Sequence, residues 1–598
     1  MQPARLARAA VLAVALTPVA RVGLVAQKAG SAGKPAAARV AAADLVLKNG
    51  HVVTVDEKQP EAQALAVRGD RIVAVGSDAD VVKLVGPRTR VIDLHGRLAI
   101  PGFIEGHGHF LGVGEAHVVI DAMNVRSFEE IAARVKAAAA RARPGEWILG
   151  RGWHQEKWDR TPQPNVEGVP LHQALDDVAP NNPVILTHAS GHASFVNGKA
   201  LALAGITKAT PNPPGGEIVH DPRTGEPTGL LRESAQGLVE RAYDRARSSM
   251  TAAQQEAEGR RLIELAGAES LQKGVTTFHD AGNPFRVIDL YHKMAAEGTL
   301  PVRVYAMVRG ESLATLAAKL PAYRTIGFGH GFLTVRAIKR VADGALGSHG
   351  AWMLEPYTDM PGATGLVEDS PSVILKTAEL AIRYGYQLNT HAIGDRANRE
   401  TLDVYEKAFQ AHPEIRSADL RWRVEHAQNI APSDLPRFAK LGVVASMQAI
   451  HCTSDGPWVP KRIGDERART EAYMWRSLLD SGAVVTNGTD APVEDMDPIP
   501  NFYAAVTRKM KNGQYFYPEQ KMTRAEALKA YTLANAWDAF EENEKGTLTR
   551  GKLADITVLS VDIMTVPVEQ IPTAKVDYTI LGGKVKYTRA TTTAAARR

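Results

Sequence analysis

The chain has 598 residues, a length that suits several small domains or one large barrel with additional elements. Hydrophobic residues make up 44% of it and charged residues 23%, which indicates a folded globular protein and excludes disordered and collagen-like chains. The net charge of +5 is small for this length, and no basic run interleaved with aromatic residues occurs, so we expect no nucleic-acid partner. The single cysteine, Cys452, excludes an internal disulfide framework and a cysteine-rich metal site.

Residues 1–26 have the pattern of a secretory signal peptide. Arg5 and Arg8 precede a short apolar run at 9–16, and small residues follow it. The run is too short to cross a bilayer as a stable helix. Residues 27–42 have the Ala, Gly, Lys and Pro composition of a linker. We therefore expect an exported protein, periplasmic or secreted, with no membrane anchor after signal removal; the alternative is a disordered Ala-rich extension.

Both ends of the remaining chain read as short strands separated by glycine-containing turns. Residues 43–97 and 545–590 are predicted to assemble one small β-sandwich, followed by a disordered tail at 591–598. The intervening residues, 98–544, alternate strand-like apolar runs with helical patterns, as parallel βαβ units do. In one of these helices Ser433 is predicted to be the N-cap.

Eight such units predict an α/β fold with a (β/α)8 TIM-like barrel. A doubly wound open sheet would need a glycine-rich phosphate loop after a strand, and none is placed that way. About 170 residues separate the first two strands, so residues from about 115 to 240 are predicted to be an insertion on the catalytic rim that forms a lid. The predicted barrel strands are 99–104, 274–278, 302–307, 334–341, 386–390, 421–425, 443–447 and 483–487.

Metal-ligand residue types lie at the ends of the predicted strands. His107 and His109 are two apart near the first strand, so their side chains point the same way and can bind one ion. His391 and His426 end the fifth and sixth strands, and Asp490 follows the eighth. Each one alone is more simply a core or rim residue, but together they reach one face of one barrel. Imidazole and carboxylate ligands suit zinc, and neighbouring transition metals remain possible.

Lys339 lies within the fourth predicted strand, where a protonated amine could not bind a metal. A desolvated lysine loses its proton easily, and the neutral amine can add carbon dioxide. The resulting carbamate has two oxygens that can bridge two metal ions. The alternative is an ion pair between Lys339 and Asp343, four residues further on.

Together these residues resemble the amidohydrolase superfamily, and within it the amidohydrolase 3 subgroup. The resemblance covers about residues 44–590. Its motifs are Pro101-Gly-Phe-Ile-Glu-Gly-His-Gly-His109, Ser190-Gly-His-Ala-Ser-Phe-Val-Asn197, Lys339-Arg-Val-Ala-Asp-Gly-Ala-Leu-Gly-Ser348, His391-Ala-Ile-Gly-Asp-Arg396, Arg423-Val-Glu-His-Ala-Gln428, Ala445-Ser-Met-Gln448, Gly488-Thr-Asp-Ala-Pro-Val493 and Gly546-Thr-Leu-Thr-Arg-Gly-Lys-Leu-Ala-Asp555.

The resemblance implies a hydrolase with two divalent metal ions. The more buried ion would be bound by His107, His109 and Asp490, the second by His391 and His426, and carbamylated Lys339 would bridge them. The sequence departs from the subgroup at two places. Glu105 stands where an aspartate is usual, and Ser348-His349-Gly350 replaces the usual Ser-Arg-Thr, so that His349 is a candidate for contacting substrate.

The metal site predicts the chemistry. A bound metal lowers the pKa of water towards about 7, and a second metal can polarise a carbonyl. Asp490 is predicted to act as general base and then general acid, with a pure metal-ligand role as the alternative. We expect hydrolysis of a C–N bond in a small-molecule amide, carbamate, urea-like or cyclic substrate. Candidates for binding it, with lid packing as the alternative, are Trp153, His154, His188, His192, His349, Gln448 and His451.

Two other functions compete with this one. A mononuclear zinc deaminase on the same barrel would use His107, His109, His391 and Asp490, with His426 as an electrostatic or proton-transfer group, and would have no use for Lys339. A non-enzymatic binding protein would be expected to have lost ligands, whereas every ligand position is present. The substrate, the metal, and a possible homo-oligomeric state are not encoded in any pattern that we can identify.

Overall fold

The computed structural model describes residues 41–248 and 250–590. The predicted signal peptide, almost all of the predicted linker at 27–42 and the tail at 591–598 lie outside the described residues. Within that part of the chain, no helix is both long enough and apolar enough to cross a membrane.

The described residues form an α/β fold of strands β1–β27 and helices α1–α21, numbered in chain order. The strands are Leu45–Lys48, His51–Val53, Glu61–Ala62, Ala64–Arg68, Arg71–Gly76, Arg90–Asp93, Leu98–Pro101, Phe103–Gly108, Ile120–Asp121, Ile148–Trp153, Asn165–Val166, Val169–Pro170, Val184–His188, Ala193–Val196, Gly216–His220, Pro227–Glu233, Val275–Asn283, Arg303–Val308, Thr325–Gly327, Leu333–Val341, Gln387–Ala392, Arg423–His426, Val444–Met447, Val485–Asn487, Ile556–Leu559, Val576–Leu581 and Lys584–Thr588.

The helices are Asp78–Val81, Phe110–Ala116, Phe128–Ala139, Gln173–Asp176, Gly198–Ala204, Gln236–Arg247, Ala252–Gln272, Phe285–Glu297, Leu313–Tyr323, Phe328–Gly331, Pro371–Tyr384, Asp395–Ala411, Ser417–Leu420, Leu435–Leu441, Ala449–Asp455, Val459–Ile463, Asp465–Thr470, Trp475–Asp480, Pro498–Thr507, Arg524–Ala530 and Leu533–Asp538. Short 3-10 turns lie at Val82–Leu84, Gln155–Lys157, Pro518–Gln520 and Val568–Thr573.

Eight parallel strands form the barrel that the sequence predicts. Their order in the sheet is β8, β17, β18, β20, β21, β22, β23 and β24, and each pairs in parallel with the next. Seven of the eight predicted runs coincide with these strands to within a few residues at each end. Because the strands are parallel, their carboxyl ends meet at one rim, which is where barrel enzymes carry their chemistry.

Side chains join the first barrel strand to the last. The Asn535 amide donates to the carbonyl oxygen of Ile104 at 2.8 Å and to that of Asn487 at 2.9 Å. The Glu105 carboxylate accepts the backbone N–H of Thr489 at 2.6 Å and its hydroxyl at 3.0 Å. These bonds connect β8 and β24 at the position where the backbone ladder ends, so the barrel is nearly closed.

The predicted first strand, 99–104, is wrong in its bounds. Leu98–Pro101 pairs with β2 and β25, in a sheet outside the barrel, and the barrel strand begins at Phe103. Gly102 separates the two strands. A Cβ at this position would lie 2.3 Å from the Thr276 hydroxyl oxygen, so the chain crosses from one sheet to the other where only glycine fits.

The predicted N-cap of helix α14 is also wrong. The helix begins at Leu435 and its N-cap position is Asp434, so Ser433 lies one residue too early. The Ser433 hydroxyl instead accepts a hydrogen bond from the Arg399 guanidinium at 3.1 Å, an interaction that the local sequence does not indicate.

Strands from both chain ends share sheets outside the barrel. One sheet has the order β5-β4-β1-β6, and the other has the order β27-β26-β25-β7-β2-β3, with β25 to β27 contributed by the carboxyl-terminal part. Leu47, Val67, Val558 and Ile580 belong to one buried cluster that draws on both sheets. The burial of this cluster attaches the two ends of the chain to each other.

The segment between β8 and β17 contains a sheet of its own, in the order β15-β16-β14-β13-β10-β9. We call residues 115–240 the insertion. Trp153 and Phe195 are buried in its hydrophobic cluster, together with Leu186 and Val135. The turns that follow β10 and β13 carry the histidines that the sequence analysis singled out.

Candidate active site

Three ligand atoms converge at the rim of the barrel where β8 ends. The Nε2 atom of His107 lies 3.5 Å from Oδ1 of Asp490, and that of His109 lies 3.2 Å from the same oxygen. All three ligand atoms lie within 4.8 Å of one another. Burial is the main cause that lowers the pKa of His109 to about 4, so its imidazole is neutral at pH 7, as a metal ligand must be.

A buried ion-pair network fixes the orientation of His107. Its Nδ1 is hydrogen-bonded to the carboxylate of Glu425, which leaves Nε2 to face Asp490. Glu425 in turn accepts from the Arg423 guanidinium at 3.0 Å, and Arg423 donates to Asp538 at 2.6 Å. Burial alone would raise the pKa of Glu425, but Arg423 and His107 together hold it well below its ordinary value. A carboxylate behind a histidine of this kind fixes the tautomer and strengthens metal binding.

Lys339 reaches the same centre from β20. Its Nζ atom lies 3.5 Å from Nε2 of His107, and the residue is 3% exposed. Burial lowers the pKa of Lys339 to about 7, so an appreciable fraction is the neutral amine at neutral pH. The alternative ion pair with Asp343 is not formed, because that carboxylate accepts three backbone N–H groups, from Trp352, Ile393 and Gly394.

His391 and His426 lie beside this group. Their ring centroids are 4.4 Å apart, and the His426 ring is 4.7 Å from that of His107. The Nδ1 atom of His426 is hydrogen-bonded to the Gln448 amide oxygen at 2.8 Å, which leaves its Nε2 available. The buried Nε2 of His391 forms no hydrogen bond among the described residues, although it lies 3.5 Å from Oδ1 of Asp343, and the buried Oδ1 of Asp490 faces the Nε2 atoms of His107 and His109. Buried polar atoms without partners at one centre fit a site that binds metal ions.

Two ligand positions have backbone conformations that are rare for residues with side chains. His426 has φ of 72° and Asp490 has φ of 58°. The left-handed region costs free energy for both, and such residues cluster at functional sites, where the surrounding structure holds them. Here the neighbouring bonds hold Asp490: its N–H donates to the His107 carbonyl at 2.7 Å.

A cavity above these ligands is lined by both the barrel and the insertion. The barrel contributes His391, His426 and Asp490. Of the predicted substrate-binding residues, the structure brings four into this lining: His154, His188, His192 and His451. Three of these belong to the insertion, so the insertion forms one wall of the cavity over the candidate metal ligands.

The other three predicted substrate-binding residues lie outside this lining. The Trp153 indole is buried in the insertion and donates to the Leu186 carbonyl at 2.7 Å. Gln448 is occupied with His426, as described above. His349 lies behind the cavity, where its Nε2 is 3.1 Å from the Asp359 carboxylate. Each of the three is held by a protein partner instead of facing the cavity.

His192 belongs to a second group of ligand-type side chains. Its Nδ1 lies 2.6 Å from Glu233 and 3.7 Å from Glu368, and its ring is 4.9 Å from that of His391. Glu233 is fully buried with φ of 48°, and a Cβ at Gly344 would lie 2.0 Å from its carboxylate. The fold therefore holds one histidine between two carboxylates, directly beside a ligand of the main centre.

The comparisons with known proteins agree with this geometry. The model of the amidohydrolase family, the Amidohydro_3 family, matches residues 90–587. The chain belongs to the amidohydrolase family. The match covers the barrel and the strands of the carboxyl-terminal end, together with β6 and β7, so the family assignment does not rest on one motif.

Individual relatives span nearly the whole chain. Protein LONG AFTER FAR-RED 3 of Arabidopsis thaliana is 33% identical over 91% of this chain and 92% of its own length. The N-substituted formamide deformylase of Arthrobacter pascens is 28% identical over 91% of this chain and 98% of its own. The crystal structure of an uncharacterized metal-dependent hydrolase from Pyrococcus furiosus is 27% identical, with a TM-score of 0.65, and covers 87% of this chain and 100% of that one.

This amidohydrolase contains site residues to which the sequence analysis gave no role. Glu425 was only part of a motif, although Arg423 and Glu425 are two apart on a buried strand. Charged side chains at inward positions of a parallel strand must be paired inside the barrel, and this signal could have identified them. Glu233, Glu368 and Arg309 gave no such signal, because only the folded chain places them near the centre.

The two departures from the subgroup motifs have structural explanations. Glu105 is not in the candidate metal-binding group; it holds Thr489, the residue before Asp490. Burial raises the pKa of Glu105 to about 8, against hydrogen bonds that favour its ionised form. His349 contacts Asp359 and packs its ring edge against Tyr357, 4.9 Å between centroids. Neither departure removes a proposed metal ligand.

Proposed function

We propose that this amidohydrolase cleaves non-peptide C–N bonds, in amides, carbamates or cyclic amides, with two divalent metal ions, for which zinc is the proposed identity. The position of Lys339 carries this proposal. Its amine is buried, free of Asp343 and 3.5 Å from the His107 nitrogen that faces Asp490. A site for one ion has no use for a lysine there, whereas a carbamate on this amine would offer oxygens to two ions.

The residues present fit two ions. His107, His109 and Asp490 would hold the first, and His391 and His426 the second, with carbamylated Lys339 between them. Bound divalent ions act as Lewis acids that polarise a carbonyl group and lower the pKa of water. The protein supplies the rest, because Glu425 and Gln448 each fix one ring nitrogen of a ligand histidine and so orient the other.

Asp490 is the proposed proton-transfer group. The hydrolysis consumes one water: its oxygen adds to the carbonyl carbon, the C–N bond breaks, and the nitrogen leaves with a proton. The Asp490 carboxylate accepts a proton from water and delivers it to that nitrogen. His109 and His107 hold the pKa of Asp490 well below its ordinary value although burial opposes this, so Asp490 starts as the base.

The C–N bond class is supported by a relative, the N-substituted formamide deformylase, whose name states its own substrate. In this chain the insertion is the proposed lid, because His154, His188 and His192 lie across the cavity from the barrel ligands. A lid that covers the ligands limits access of water and suits a small-molecule substrate.

The proposal is tested by Lys339→Ala. Metal analysis of the purified protein is expected to fall from two ions to one or none per chain, with loss of turnover on a panel of formamides, carbamates and cyclic amides. Short carboxylates added to the variant should restore part of the metal content and part of the turnover, because they can replace the carbamate. Lys440→Ala, an exposed lysine with 71% of its side chain accessible, is the matched control and should behave as the parent.

A fully active Lys339→Ala protein with unchanged metal content would contradict the two-ion site. That result would favour the mononuclear deaminase, which uses His107, His109, His391 and Asp490 as ligands and His426 as an electrostatic or proton-transfer group. Ammonia release from amino-substituted heterocycles, measured in parallel, identifies the deaminase directly.

We also propose that the protein is exported. The charged start and the short apolar run at residues 9–16 support this. The mass of the mature protein from its native cell should place the N-terminus between about residues 20 and 42. An intact Met1 in the cytoplasm would contradict it.

A further inference from the structure

A polar cavity adjoins the proposed metal ligands on the side of the third barrel strand. His109 and His192 line it, and His192 also lines the cavity above His391 and His426. The side chains of Arg309 and Arg151 line the same polar cavity. A group held between the two arginines would therefore belong to a molecule that also reaches the metal ligands.

Arg309 directly follows the barrel strand Arg303–Val308 and is half-buried. Its side chain lies across Gly282, where a Cβ would be 2.4 Å from the Arg309 Cβ. Gly282 has φ of 124°, which L side chains rarely adopt, so the glycine both turns the chain and makes room. Within residues 41–248 and 250–590, the Arg309 guanidinium forms no ion pair or hydrogen bond. Its donors are free to bind a ligand.

Arg151 enters the cavity from the insertion strand Ile148–Trp153. One Nη atom donates to the Ala189 carbonyl at 3.2 Å, while the buried Nε has no partner in the described part of the chain. The turn at Gly191 lies over the guanidinium, with the Cβ position 3.8 Å from an Nη atom. The turn positions the guanidinium and leaves most of its donors unused.

The carboxylates in the cavity have other partners. Glu233 and Glu368 face Nδ1 of His192, at 2.6 and 3.7 Å. Glu240 also lines the cavity, but it is exposed and forms no ion pair with Arg151 or Arg309 among the described residues. Neither guanidinium forms an ion pair with a carboxylate of the described residues, although the charges of Glu240 and Glu368 act on Arg309 and those of Glu115 and Asp490 act on Arg151.

We infer that Arg309 and Arg151 bind a carboxylate carried by the substrate. This inference rests on the proposed function and names the substrate class: N-acyl compounds in which the part released as an amine ends in a carboxylate. A planar guanidinium matches a carboxylate with two parallel hydrogen bonds.

The test uses pairs of substrates that differ only in charge. The acids are N-formyl and N-acetyl derivatives of glycine, β-alanine and 4-aminobutyrate, and the neutral partners are their primary amides. Release of formate or acetate is measured with the metal-loaded mature protein. The chain-length series places the carboxylate at increasing distance from the scissile bond. At least one acid should exceed its amide about tenfold or more in kcat/KM.

Arg309→Gln should lower kcat/KM on the preferred acid by about 10- to 100-fold, mainly through KM, and on its amide by less than about threefold. Arg151→Gln should also lower kcat/KM more on the acid than on the amide. Its melting temperature is measured as well, because this variant also loses the hydrogen bond to the Ala189 carbonyl. Arg383→Gln on helix α11, an exposed arginine, is the matched control and should change neither substrate. Arg309→Lys should restore part of the preference for the acid.

Equal kcat/KM for acids and amides in the parent, or an equal loss on both in Arg309→Gln, would overturn the inference. The neutral compound N-propylformamide distinguishes this inference from the proposed function. If the protein hydrolyses N-propylformamide but shows no preference for acids over amides, the proposed function stands and only the carboxylate subsite is contradicted. Absence of turnover on every one of these compounds and on the panel of carbamates and cyclic amides would defeat the proposed function. Calorimetric binding of N-acetylglycine and its amide then decides the subsite independently, since equal affinities would overturn it.

Discussion

The histidines of the barrel and those of the insertion line one cavity but are held in different ways. In the barrel, a buried side-chain acceptor fixes one nitrogen of His107 and of His426, and the other nitrogen faces the centre. In the insertion, His154 and His188 pack against each other with ring centroids 4.5 Å apart. In both rings Nδ1 forms a hydrogen bond within a local turn. Nδ1 of His154 accepts from the backbone N–H of Glu156 at 3.2 Å, and Nδ1 of His188 lies 2.8 Å from the Ser190 hydroxyl.

Burial lowers the pKa of histidines in the barrel and in the insertion alike. It lowers the pKa of His188 to about 3 and that of His109 to about 4. The rings of His109 and His188 are therefore neutral at pH 7, whereas Glu233 and Glu368 raise the pKa of His192, also in the insertion, to about 10 although burial opposes this. Burial alone does not distinguish a candidate metal ligand from a wall residue. The difference lies in the partners: Nε2 of His107 and Nε2 of His109 converge on the Asp490 carboxylate, whereas His154 and His188 use Nδ1 within local turns.

Among variants that test this difference between the two sets of histidines, Asp490→Asn is expected to have the largest effect on turnover. The amide occupies the same space but cannot accept and return a proton, so kcat should fall by about 10²- to 10⁴-fold, with a further loss where metal binding weakens. Turnover, metal content and melting temperature are measured together. Asp480→Asn, with 67% of the side chain exposed, is the control. Activity within about threefold of the parent would show that Asp490 is not the proton-transfer group.

Glu425→Gln should have the next largest effect. It removes the charge that fixes Nδ1 of His107 and leaves Arg423 with one carboxylate instead of two. Metal affinity should fall by about 10- to 100-fold, and the melting temperature should also fall because a buried ion pair is broken. Competition with a chelator measures the metal affinity, and calorimetry measures the melting temperature. Unchanged affinity would show that the network serves only the fold.

Gln448→Leu should weaken one ion more than the other. The variant removes the 2.8 Å acceptor of His426 and leaves the Glu425 contact to His107 intact. Because the lost bond joins two neutral groups, we expect about a tenfold weaker second ion and a first ion close to the parent. Stepwise metal titration resolves the two. Equal weakening of both ions would mean that the histidines are not divided between two sites.

The smallest effect is expected from His188→Gln in the insertion. The ring packs 4.7 Å from the Trp153 ring and makes its hydrogen bond to Ser190, and Gln can keep a polar contact there. KM should rise by a few fold, at a cost of about 1 kcal/mol, with metal content unchanged. Loss of metal in this variant would remove the distinction between the two sets of histidines.

The sequence predicted the barrel because parallel strands are buried on both faces and separated by helices, a pattern that survives in local composition. It placed the first strand too early, since 98–101 has the same apolar character as a barrel strand, and only its pairing with β25, more than 450 residues away, assigns it to another sheet. The prediction that Ser433 is the N-cap of helix α14 was wrong for a similar reason, because its hydrogen-bond partner Arg399 is distant in the chain.

The positions of the candidate ligands could be chosen from the sequence, but their surroundings could not. His107, His109, Lys339, His391, His426 and Asp490 follow from strand ends, and the structure brings all of them to one rim. Trp153 and His349 were candidates because aromatic and histidine side chains often contact substrates. Their actual partners, the Leu186 carbonyl and the Asp359 carboxylate, depend on folding that no local pattern shows.

The hydrogen bonds between Glu105 and Thr489 join residues 384 positions apart, and they hold the loop that carries Asp490 against the strand that carries His107 and His109. The bond that closes the barrel and the bond that completes the first ligand set are therefore the same contact. Closing a contact between residues so far apart in the chain costs loop-closure entropy and slows folding. A chain still emerging from synthesis or from a membrane pore, with residue 490 not yet free, has no complete ligand set, so metal would be taken up only by a chain that has finished folding.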